Sequence, residues 1–471
     1  MTRHNLRLSD RQWNVVLLST ILISTLASPN ATNGEKTPNV ILIMADDLGW
    51  KDLACYGNSS VETPVLDRFA KQGMLFTDAY SASPVCSPTR AAMMTGLAPA
   101  RLNITNHAAG HPPGFQLPGT QLQTPLWNRN LSLDYKTIAE RFRQAGYRTG
   151  FVGKWHLSHR PKGSTGPKET ELRPEHQGFD LNIGGCDYGG PPSYFSPFKN
   201  PAITNRKPNE YLPFRLADEC IEFIQADRDR PFFLCWWNYS VHYPFEAPAD
   251  LITKYEVRGD REPLKNPIYN AMIEGMDQAT GRLFHFIHHS GLEDSTLVIF
   301  TSDNGPFAAN VQPLRGEKGH LYEGGIRVPF IVRWPGVVPA GSVSNTPVIS
   351  MDVVATLESV CHLDPSRILD GMDLTPVLKG HDHLDRDALF FHYPNYAFHK
   401  KNRLGSAIRM GEYKLIKFYD GPEIELYHLS TDIGEQRECS AAEPVVADRL
   451  QNRLEIWLQS TKASQPIQLQ N

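Results

Sequence analysis

The sequence predicts an α/β fold: a large mixed, mostly parallel central sheet flanked by helices, followed by a smaller C-terminal domain with an antiparallel sheet and a helix. The chain has 471 residues, of which 41% are hydrophobic and 21% charged, so it is long enough for a large globular core. Apolar runs alternate with helical patterns over residues 38–369, which is typical of a parallel sheet. Beyond residue 370, short strand patterns are joined by glycine-containing turns.

The alternation begins with Val40–Met44, a continuous apolar run typical of a strand buried on both faces. A helix over Thr63–Gln72 follows and starts at a Thr-Pro signal. The further strands predicted in this part are Thr149–Val152, Pro231–Trp237, Leu297–Thr301 and Pro329–Arg333. The further helices are Arg90–Thr95, Lys136–Gln144, Phe214–Ala226, Asn270–Ser290 and Met351–Cys361. Residues 101–133 are rich in Pro, Gly, His and Asn and predict an irregular insertion, which often lines a binding site.

The C-terminal domain is predicted over residues 370–471. Its strands are expected at Ser406–Met410, Tyr413–Phe418 and Glu423–Leu429, and its helix at Glu443–Gln459. The glycine-containing turns between these strands indicate an antiparallel sheet.

The first 27 residues predict a secretory signal. Three arginines precede an apolar run from Val15 to Ala27, and small residues follow it. The run is short for a membrane span, which needs about 20 apolar residues, and a membrane anchor is the alternative. We therefore expect an exported protein, periplasmic or secreted, or lysosomal or extracellular in a eukaryote, without stable membrane insertion. A net charge of -4 without a basic stripe argues against nucleic acid as a partner.

Oxygen-donor side chains follow two of the predicted strands. Asp46 and Asp47 come after the first strand, and Asp303 and Asn304 come after the strand that ends at residue 301. In open α/β sheets, ligands bind outside the carboxyl ends of the strands, so these groups would meet at one edge. Each pair alone is equally well explained by a turn or a cap. Together they predict a site for a hard cation, Ca²⁺ with Mg²⁺ as the alternative.

Basic side chains follow two further strands. Lys154 and His156 come after Thr149–Val152, and His242 comes after the bulky apolar strand that ends at Trp237. Either histidine alone is as well explained by a structural role in the core. Four strands that deliver ionisable groups to one edge indicate a catalytic site instead.

The segment Cys86-Ser87-Pro88-Thr89-Arg90 predicts a nucleophile at a helix N-terminus. Pro88 suits the first helical turn, so Cys86 would lie where backbone N–H groups favour an anion. Arg90 would lie one turn further on the same face. Two mechanisms fit: Cys86 acts as a thiolate, or it is not a cysteine in the working enzyme.

This Cys-x-Pro-x-Arg pattern, followed by a small-residue helix and Gly96, resembles the signature of type I sulfatases, which belong to the alkaline phosphatase superfamily. Other segments resemble motifs of that family in the same order: Asn39–Gly57, Gly153–Leu157, Ser302–Gly305, Leu314–Pro329 and Leu426–Glu435. The resemblance implies an alkaline-phosphatase-like fold and a sulfuric ester hydrolase. It also implies that a formylglycine-generating enzyme oxidises Cys86 to formylglycine, whose hydrated aldehyde is the nucleophile.

The resemblance implies a role for each matched residue. The Ca²⁺ ligands would be Asp46, Asp47, Asp303, Asn304 and the formylglycine at Cys86. Arg90 would stabilise the aldehyde hydrate, and Lys154 and Lys318 would hold sulfate oxygens. His242 would be the general acid beside the leaving oxygen, and His156 would be the base that collapses the intermediate.

Substrate contacts are predicted beside these motifs and in the insertion. The candidates are His107, His111, Tyr188, Trp237 and Tyr243, and packing is an equally good explanation for each. Some arylsulfatases place a Ser about ten residues after a Gly-Phe pair, but here that place holds Tyr188 or its neighbours. The resemblance to the arylsulfatase A and N-acetylgalactosamine-sulfatase branch favours a sulfated galactose or N-acetylgalactosamine.

Two alternative functions remain from the sequence. The first is a phosphonate or phosphate ester hydrolase of the same superfamily, since some of those share the Cys-x-Pro-x-Arg signature. The second is a non-catalytic binder of sulfated glycans with a decayed site. The sequence argues against this second function, because every expected polar position is filled.

Overall fold

The computed structural model describes residues 37–257, 266–307, 309–381, 383–397, 402–421 and 423–469. These residues belong to one compact unit, Thr37–Asn471. The predicted signal segment, residues 1–27, lies outside the described residues.

The elements are numbered in chain order. The strands are β1 (Asn39–Ala45), β2 (Met74–Phe76), β3 (Ala79–Tyr80), β4 (Leu122–Gln123), β5 (Arg148–Gly153), β6 (Leu181–Ile183), β7 (Phe232–Trp237), β8 (Thr296–Ser302), β9 (Phe330–Arg333), β10 (Ser342–Ser344), β11 (Val348–Ile349), β12 (Leu389–Tyr393), β13 (Gly405–Met410), β14 (Tyr413–Phe418), β15 (Ile424–His428) and β16 (Ile467–Gln468). The helices are α1 (Pro64–Gln72), α2 (Cys86–Thr95), α3 (Pro99–Leu102), α4 (Ile138–Gln144), α5 (Leu212–Ala226), α6 (Ala249–Val257), α7 (Pro267–His289), α8 (Glu323–Ile326), α9 (Asp352–Val360), α10 (Thr375–Leu378) and α11 (Pro444–Ser460).

The central sheet is mixed and mostly parallel, as predicted. Among the described residues it has eight strands in the order β10-β2-β9-β8-β1-β7-β5-β6. Only β9 runs antiparallel to its neighbours β8 and β2 within this described sheet. β1 lies between β7 and β8, so both of its edges are paired, and its residues from Val40 to Ala45 are buried. The three-residue strands β2, β6 and β10 were not predicted, because they are too short to show a pattern.

Helices cover both faces of this sheet. Side chains of β1 alternate between the faces, as strand geometry requires. Ile41 and Ile43 pack in one hydrophobic cluster with α1, α5 and α7. Val40, Leu42 and Met44 pack in a second cluster with α2, α4 and α9. This layering fixes β1 and β8 at the centre of the molecule, so the loops that follow them are held firmly.

The C-terminal part forms a four-stranded antiparallel sheet in the order β12-β13-β14-β15 among the described residues. One face of this sheet packs on α11, through residues such as Leu415 and Leu450. Its other face contributes Ala407 and Ile416 to a cluster with Val85, which directly precedes α2. The small antiparallel domain is therefore confirmed, with β12 as a strand that the sequence analysis missed. The boundary at residue 370 stays a prediction.

The predicted insertion is irregular for most of its length. Its short strand β4 pairs with β16, which ties the insertion to the C-terminal segment. Among the described residues, none of the helices combines the length and the apolar character of a membrane span.

Candidate active site

Four oxygen-donor side chains meet at the carboxyl edge of β1 and β8. The two strands are parallel neighbours in register, so the residues that follow them emerge side by side. Asp46, Asp47, Asp303 and Asn304 are all buried, with at most 2% exposure. The backbone N–H of Asp47 donates to Asp303 Oδ1 at 3.2 Å, and Asn304 Nδ2 donates to Asp47 Oδ1 at 2.6 Å. The structure thus brings together the four residues that the sequence singled out.

Cys86 is the first residue of α2 and faces this group. Its Sγ lies 3.6 Å from Asp46 Oδ1 and 4.0 Å from Asp47 Oδ1. A ligand atom from each of Asp46, Asp47, Cys86 and Asp303 lies within 4.8 Å of the others. Burial raises the pKa of the Cys86 thiol to about 12, and the charge of Asp303 adds to the increase. Burial therefore favours the neutral thiol over the thiolate at this position.

Arg90 lies one turn after Cys86 and is fully buried. Its Nε donates to Asp303 Oδ2 at 2.8 Å, its Nη2 lies 2.7 Å from the same oxygen as an ion pair, and its Nη1 donates to the Lys154 carbonyl at 2.6 Å. Its guanidinium lies 5.5 Å from the ring centroid of Trp237. Burial acts to lower the pKa of Arg90, but Asp303 and neighbouring acids raise it, so the group stays charged.

Two lysines from different segments add positive charge beside the buried carboxylates. Lys154, which follows β5, donates to both Asp46 oxygens at 2.7 and 2.9 Å, and Lys318 donates to Asp47 Oδ1 at 2.6 Å. Burial raises the pKa of Asp46 to about 7 against the opposing charge of Lys154. Burial acts in the same direction on Asp47, but Lys318 and other cations outweigh it and lower the pKa.

His242 reaches the same site from the loop after β7. Its Nδ1 is 2.6 Å from the Tyr243 carbonyl oxygen, and its Nε2 is 3.7 Å from Asp47 Oδ2. Burial, followed by the charge of Lys318, lowers the pKa of His242 to about 3. The imidazole is therefore neutral near pH 7 in this structure, with Nδ1 as the donor to the carbonyl.

His156 lies in the loop after β5, with a left-handed backbone at φ 57°. Its side chain is buried, and neither ring nitrogen has a hydrogen-bond partner among the described residues. Burial, followed by the charge of Lys154, lowers the pKa of His156. A buried neutral imidazole with two unpaired nitrogens is suited to binding a ligand or moving a proton.

An open cavity of about 250 Å³ leads from the surface to Cys86. Its walls are formed by Asp47, Cys86, His107, Ala109, His156, Gly189, His242, Tyr243, Phe307 and Lys318. His107 and Tyr243, two of the predicted substrate contacts, line this cavity. Tyr188 is outside these walls, although the next residue lines them, and His111 stacks on Phe115 with ring centroids 4.0 Å apart.

Trp237 was also predicted as a substrate contact, and the structure contradicts this. Its side chain is fully buried and stacks on Trp155, with ring centroids 6.1 Å apart. As the last residue of β7 it points to the face of the sheet that α2 covers, beneath Arg90. It therefore supports the site from below and cannot reach a ligand in the cavity.

Several residues of the site were not predicted from the sequence, among them Gly189, Gly190 and Phe307. A side chain at Gly189 would place Cβ 3.0 Å from the His156 ring, and one at Gly190 would place it 2.6 Å from His242 Nδ1. The Gly-Gly pair was the available signal, because it indicates close approach of the backbone to other groups. Phe307 lines the cavity but belongs to no pattern that separates it from a loop residue.

The donor set fits a hard divalent cation. Its carboxylates are buried, and Asn304 Oδ1 is buried without a hydrogen-bond partner among the described residues. Carboxylate and amide oxygens suit Ca²⁺ or Mg²⁺ better than Zn²⁺, which prefers nitrogen and sulfur.

Comparisons with known proteins place this geometry in context. The sequence model of the family described as Sulfatase matches residues 38–362, and that described as N-sulphoglucosamine sulphohydrolase, C-terminal, matches residues 316–463. Human arylsulfatase A is 34% identical over 421 residues, which cover 82% of this chain and 76% of that protein. N-acetylgalactosamine-6-sulfatase of Canis lupus familiaris is 29% identical over 516 residues, covering 96% and 91%.

The fold has a similar counterpart among solved structures. The crystal structure of Ps i-CgsB matches with a TM-score of 0.74 and 28% identity, covering 90% of this chain and 93% of that one. Ps i-CgsB has also been solved in complex with k-i-k-neocarrahexaose.

Proposed function

Because the chain belongs to the sulfatase family and hydrolyses sulfate esters, we propose that it acts on a sulfated sugar with a formylglycine made from Cys86 and a bound Ca²⁺. The observation that carries the proposal is the floor of the cavity. There, one helix N-terminus, a buried group of carboxylates and three cationic side chains converge on Cys86.

The residues that would hold the ion are Asp46, Asp47, Asp303 and Asn304, with the residue at position 86 as a further ligand. The ion supplies positive charge that offsets the charge of a sulfate group. A formylglycine supplies a hydrated aldehyde, with one hydroxyl to bond to sulfur and a second that allows sulfate to be released. A serine would lack that second hydroxyl.

The cationic side chains orient and stabilise the sulfate. Lys154 and Lys318 come from different parts of the chain, and their ammonium groups bind Asp46 and Asp47 beside the nucleophile. Both would donate to sulfate oxygens. Arg90 is fixed by Asp303 and the Lys154 carbonyl, so it would hold the hydroxyl groups at position 86 without reorganising.

Two histidines serve the proton transfers. His242 would protonate the leaving oxygen, and His156 would accept the proton from the second hydroxyl at position 86. The charge of Lys318 lowers the pKa of His242. A bound sulfate anion offsets that charge and raises the pKa again, so substrate binding favours the protonated acid. His156 is neutral and unpaired, as a base must be.

The proposed substrate is a sulfate monoester of galactose or N-acetylgalactosamine type. Relatives include an N-acetylgalactosamine-6-sulfatase, and a similar structure binds a neocarrahexaose. Tyr243 is 62% exposed at the cavity and Phe307 lines it, so aromatic surface is available to the apolar face of a sugar. The signal-like N-terminus supports an exported, periplasmic or secreted, protein.

The test is sulfate release by protein matured in a host that installs formylglycine. Galactose, N-acetylgalactosamine and glucosamine sulfates of defined position are assayed beside a matched phosphate ester. Mass spectrometry of the peptide that contains residue 86 reports the modification. We expect release from a galactose or N-acetylgalactosamine member and loss of activity in Cys86→Ala.

Cys86→Ser is the matched control for the nucleophile. Its hydroxyl should accept the sulfuryl group of the preferred substrate, release the sugar alcohol and retain the ester, so that the peptide mass increases by one SO3 without turnover. Full activity of Cys86→Ala would overturn the nucleophile assignment. Release only from glucosamine sulfates would overturn the sugar assignment, and faster cleavage of the phosphate ester would overturn the sulfate preference.

A further inference from the structure

The segment that carries Lys318, residues 314–327, is attached directly to the active site. The backbone N–H of Lys318 donates to the Pro306 carbonyl at 3.0 Å, just after the proposed metal ligands. The N–H of Gly319 donates to the Pro84 carbonyl at 2.8 Å, two residues before Cys86. Any shift of this segment would therefore move Lys318 relative to the nucleophile.

The opposite side of the same segment is attached to the C-terminal sheet. Glu323, at the start of α8, accepts from Lys414 Nζ of β14 at 2.9 Å and from Arg327 Nη1 at 3.0 Å. Lys414 Nζ also lies 2.9 Å from Glu435 Oε1. Glu435 Oε2 in turn accepts from the backbone N–H of Glu323 at 2.6 Å.

Glu435 contacts both ends of the segment. Its carbonyl oxygen accepts from Arg315 Nη1 at 3.0 Å, and the same Nη1 donates to the Tyr427 hydroxyl at 2.8 Å. The N–H of Gly324 donates to the Arg315 carbonyl at 2.8 Å, which closes the segment into a loop. The loop thus has its base fixed on the C-terminal sheet and its tip, with Lys318, in the cavity.

Stability alone does not account for the charges at this base. The side chains of Lys414, Glu323 and Glu435 are all 0% exposed. Burying such ions costs desolvation free energy that their mutual attraction repays only with good geometry, and apolar residues of similar volume often stabilise a fold equally well. What charged hydrogen bonds add is direction, because they fix donors and acceptors at defined positions.

We propose that Lys414 and Glu435 are positioning residues that set the place of the Lys318 ammonium group in the active site. The C-terminal sheet would then complete the catalytic site without contributing a residue that touches substrate. The inference rests on the proposed function, in which Lys318 holds a sulfate oxygen.

The first test is a double-mutant cycle on sulfate-ester hydrolysis with Lys318→Ala, Glu435→Gln and the double variant. A misplacement of about 1 Å can cost on the order of 100-fold in rate, so Glu435→Gln should lower kcat/KM by roughly 10- to 100-fold. In the Lys318→Ala background the same substitution should cost less than about 3-fold, because coupled residues are not additive.

The control is Lys417→Met. Lys417 lies on the same strand as Lys414 and pairs with Glu455 on α11, away from the loop, so its loss should leave kcat/KM unchanged. Lys414→Arg keeps the charge and should retain more activity than Lys414→Met, which guards against variants that fail to fold. Equal losses from Glu435→Gln in both backgrounds would overturn the proposal.

Hydrogen exchange measures the loop without relying on activity. Glu435→Gln should increase exchange in residues 314–327 while β1 keeps its protection, and unchanged exchange in the loop would contradict the proposal. If the matured wild type released no sulfate from any ester, the proposed function would fail. The exchange experiment would still decide whether Lys414 and Glu435 hold the loop.

Discussion

At the scale of single residues, the site requires a residue without a side chain at position 190. Gly190 leaves room for the His242 ring, since a Cβ there would lie 2.6 Å from Nδ1 and 2.9 Å from the Tyr243 carbonyl oxygen. Gly190→Ala should displace the imidazole and lower kcat/KM by roughly 10- to 100-fold with little change in Tm. Steady-state kinetics and thermal unfolding check this.

The control for this substitution is Gly421→Ala, where the nearest atom to a new Cβ is an Arg403 nitrogen at 4.0 Å. It should keep full activity. Wild-type kinetics for Gly190→Ala would mean that His242 does not need its observed position.

The residues of the site differ in how far sequence alone reveals them. Asp46 and Asp303 are readable because polar groups directly after buried strands must emerge at the sheet edge. The role of Gly190 cannot be recognised in the same way. This residue leaves room for the His242 ring, and only the folded chain brings the two residues together. Trp237 was assigned wrongly because a one-residue change along a strand reverses the face to which a side chain points.

At the scale of elements, α1 is stabilised from a distant part of the chain. Its N-cap residue Thr63 makes no side-chain capping bond. Instead, the carboxylate of Asp277, on α7, accepts from the N–H groups of Val65 at 3.1 Å and Leu66 at 2.8 Å. The Thr-Pro signal therefore located the helix correctly, but the group that satisfies its N-terminus could not be predicted without the packing of α7.

Asp277→Ala should reduce the free energy of unfolding by about 2 kcal/mol, because the buried N–H of Leu66 and the part-buried N–H of Val65 lose their acceptor. Asp277→Asn keeps one acceptor oxygen and should cost less. Denaturant unfolding of both variants measures the difference. Asp218→Ala, which removes a part-exposed ion pair with Arg282, should change stability by less than about 1 kcal/mol. Equal effects of Asp277→Ala and Asp218→Ala would exclude a capping role.

At the scale of the whole molecule, acid should weaken the C-terminal part through His392. This residue of β12 is 2% exposed, and its ring nitrogens lie 2.7 Å from Ser406 Oγ and 3.0 Å from the Ser464 carbonyl oxygen. Burial lowers its pKa to about 4. The unfolded chain, with a pKa of about 6.5, therefore binds a proton that the folded chain excludes, and stability falls as the pH drops from about 6.5 to 4.

His392→Gln removes this titration. The advantage of the wild type over the variant in free energy of unfolding should shrink by up to about 3 kcal/mol between pH 7 and pH 4. Denaturant unfolding at several pH values checks this. A difference between the wild type and His392→Gln that stays constant over this pH range would disprove the assignment.

The central sheet and the group of carboxylates at its edge could be predicted from the sequence, because both follow from long apolar strands and their ends. The way in which the C-terminal sheet holds the Lys318 loop was not. No pattern in the sequence assigns a role to Lys414, and Glu435 stands out only as the end of a segment that resembles a family motif. Long-range packing makes both residues buried partners of Glu323. Contacts between distant segments leave no local pattern.

The stability of the whole molecule should also depend on the proposed ion. In the structure the carboxylates of Asp46, Asp47 and Asp303 are balanced by Arg90, Lys154 and Lys318. A divalent ion would add two positive charges, which suits a site that must then bind an anion. Ligand binding to the folded state alone stabilises it by about 2.7 kcal/mol at a concentration of 100 Kd. Calcium should therefore raise Tm, and a chelator should lower it.

Asn304→Ala separates this effect from general ion binding. It removes the unpaired Oδ1 while the ion pairs of Asp303 and Asp47 remain, so the calcium-dependent change in Tm should shrink. Zn²⁺ should not replace Ca²⁺, since the donors are oxygens. If neither the chelator nor calcium changed Tm, the three cationic side chains alone would neutralise the carboxylates. Sulfate would then have to bind to a site with no surplus positive charge, which would also remove the electrostatic basis of the proposed reaction.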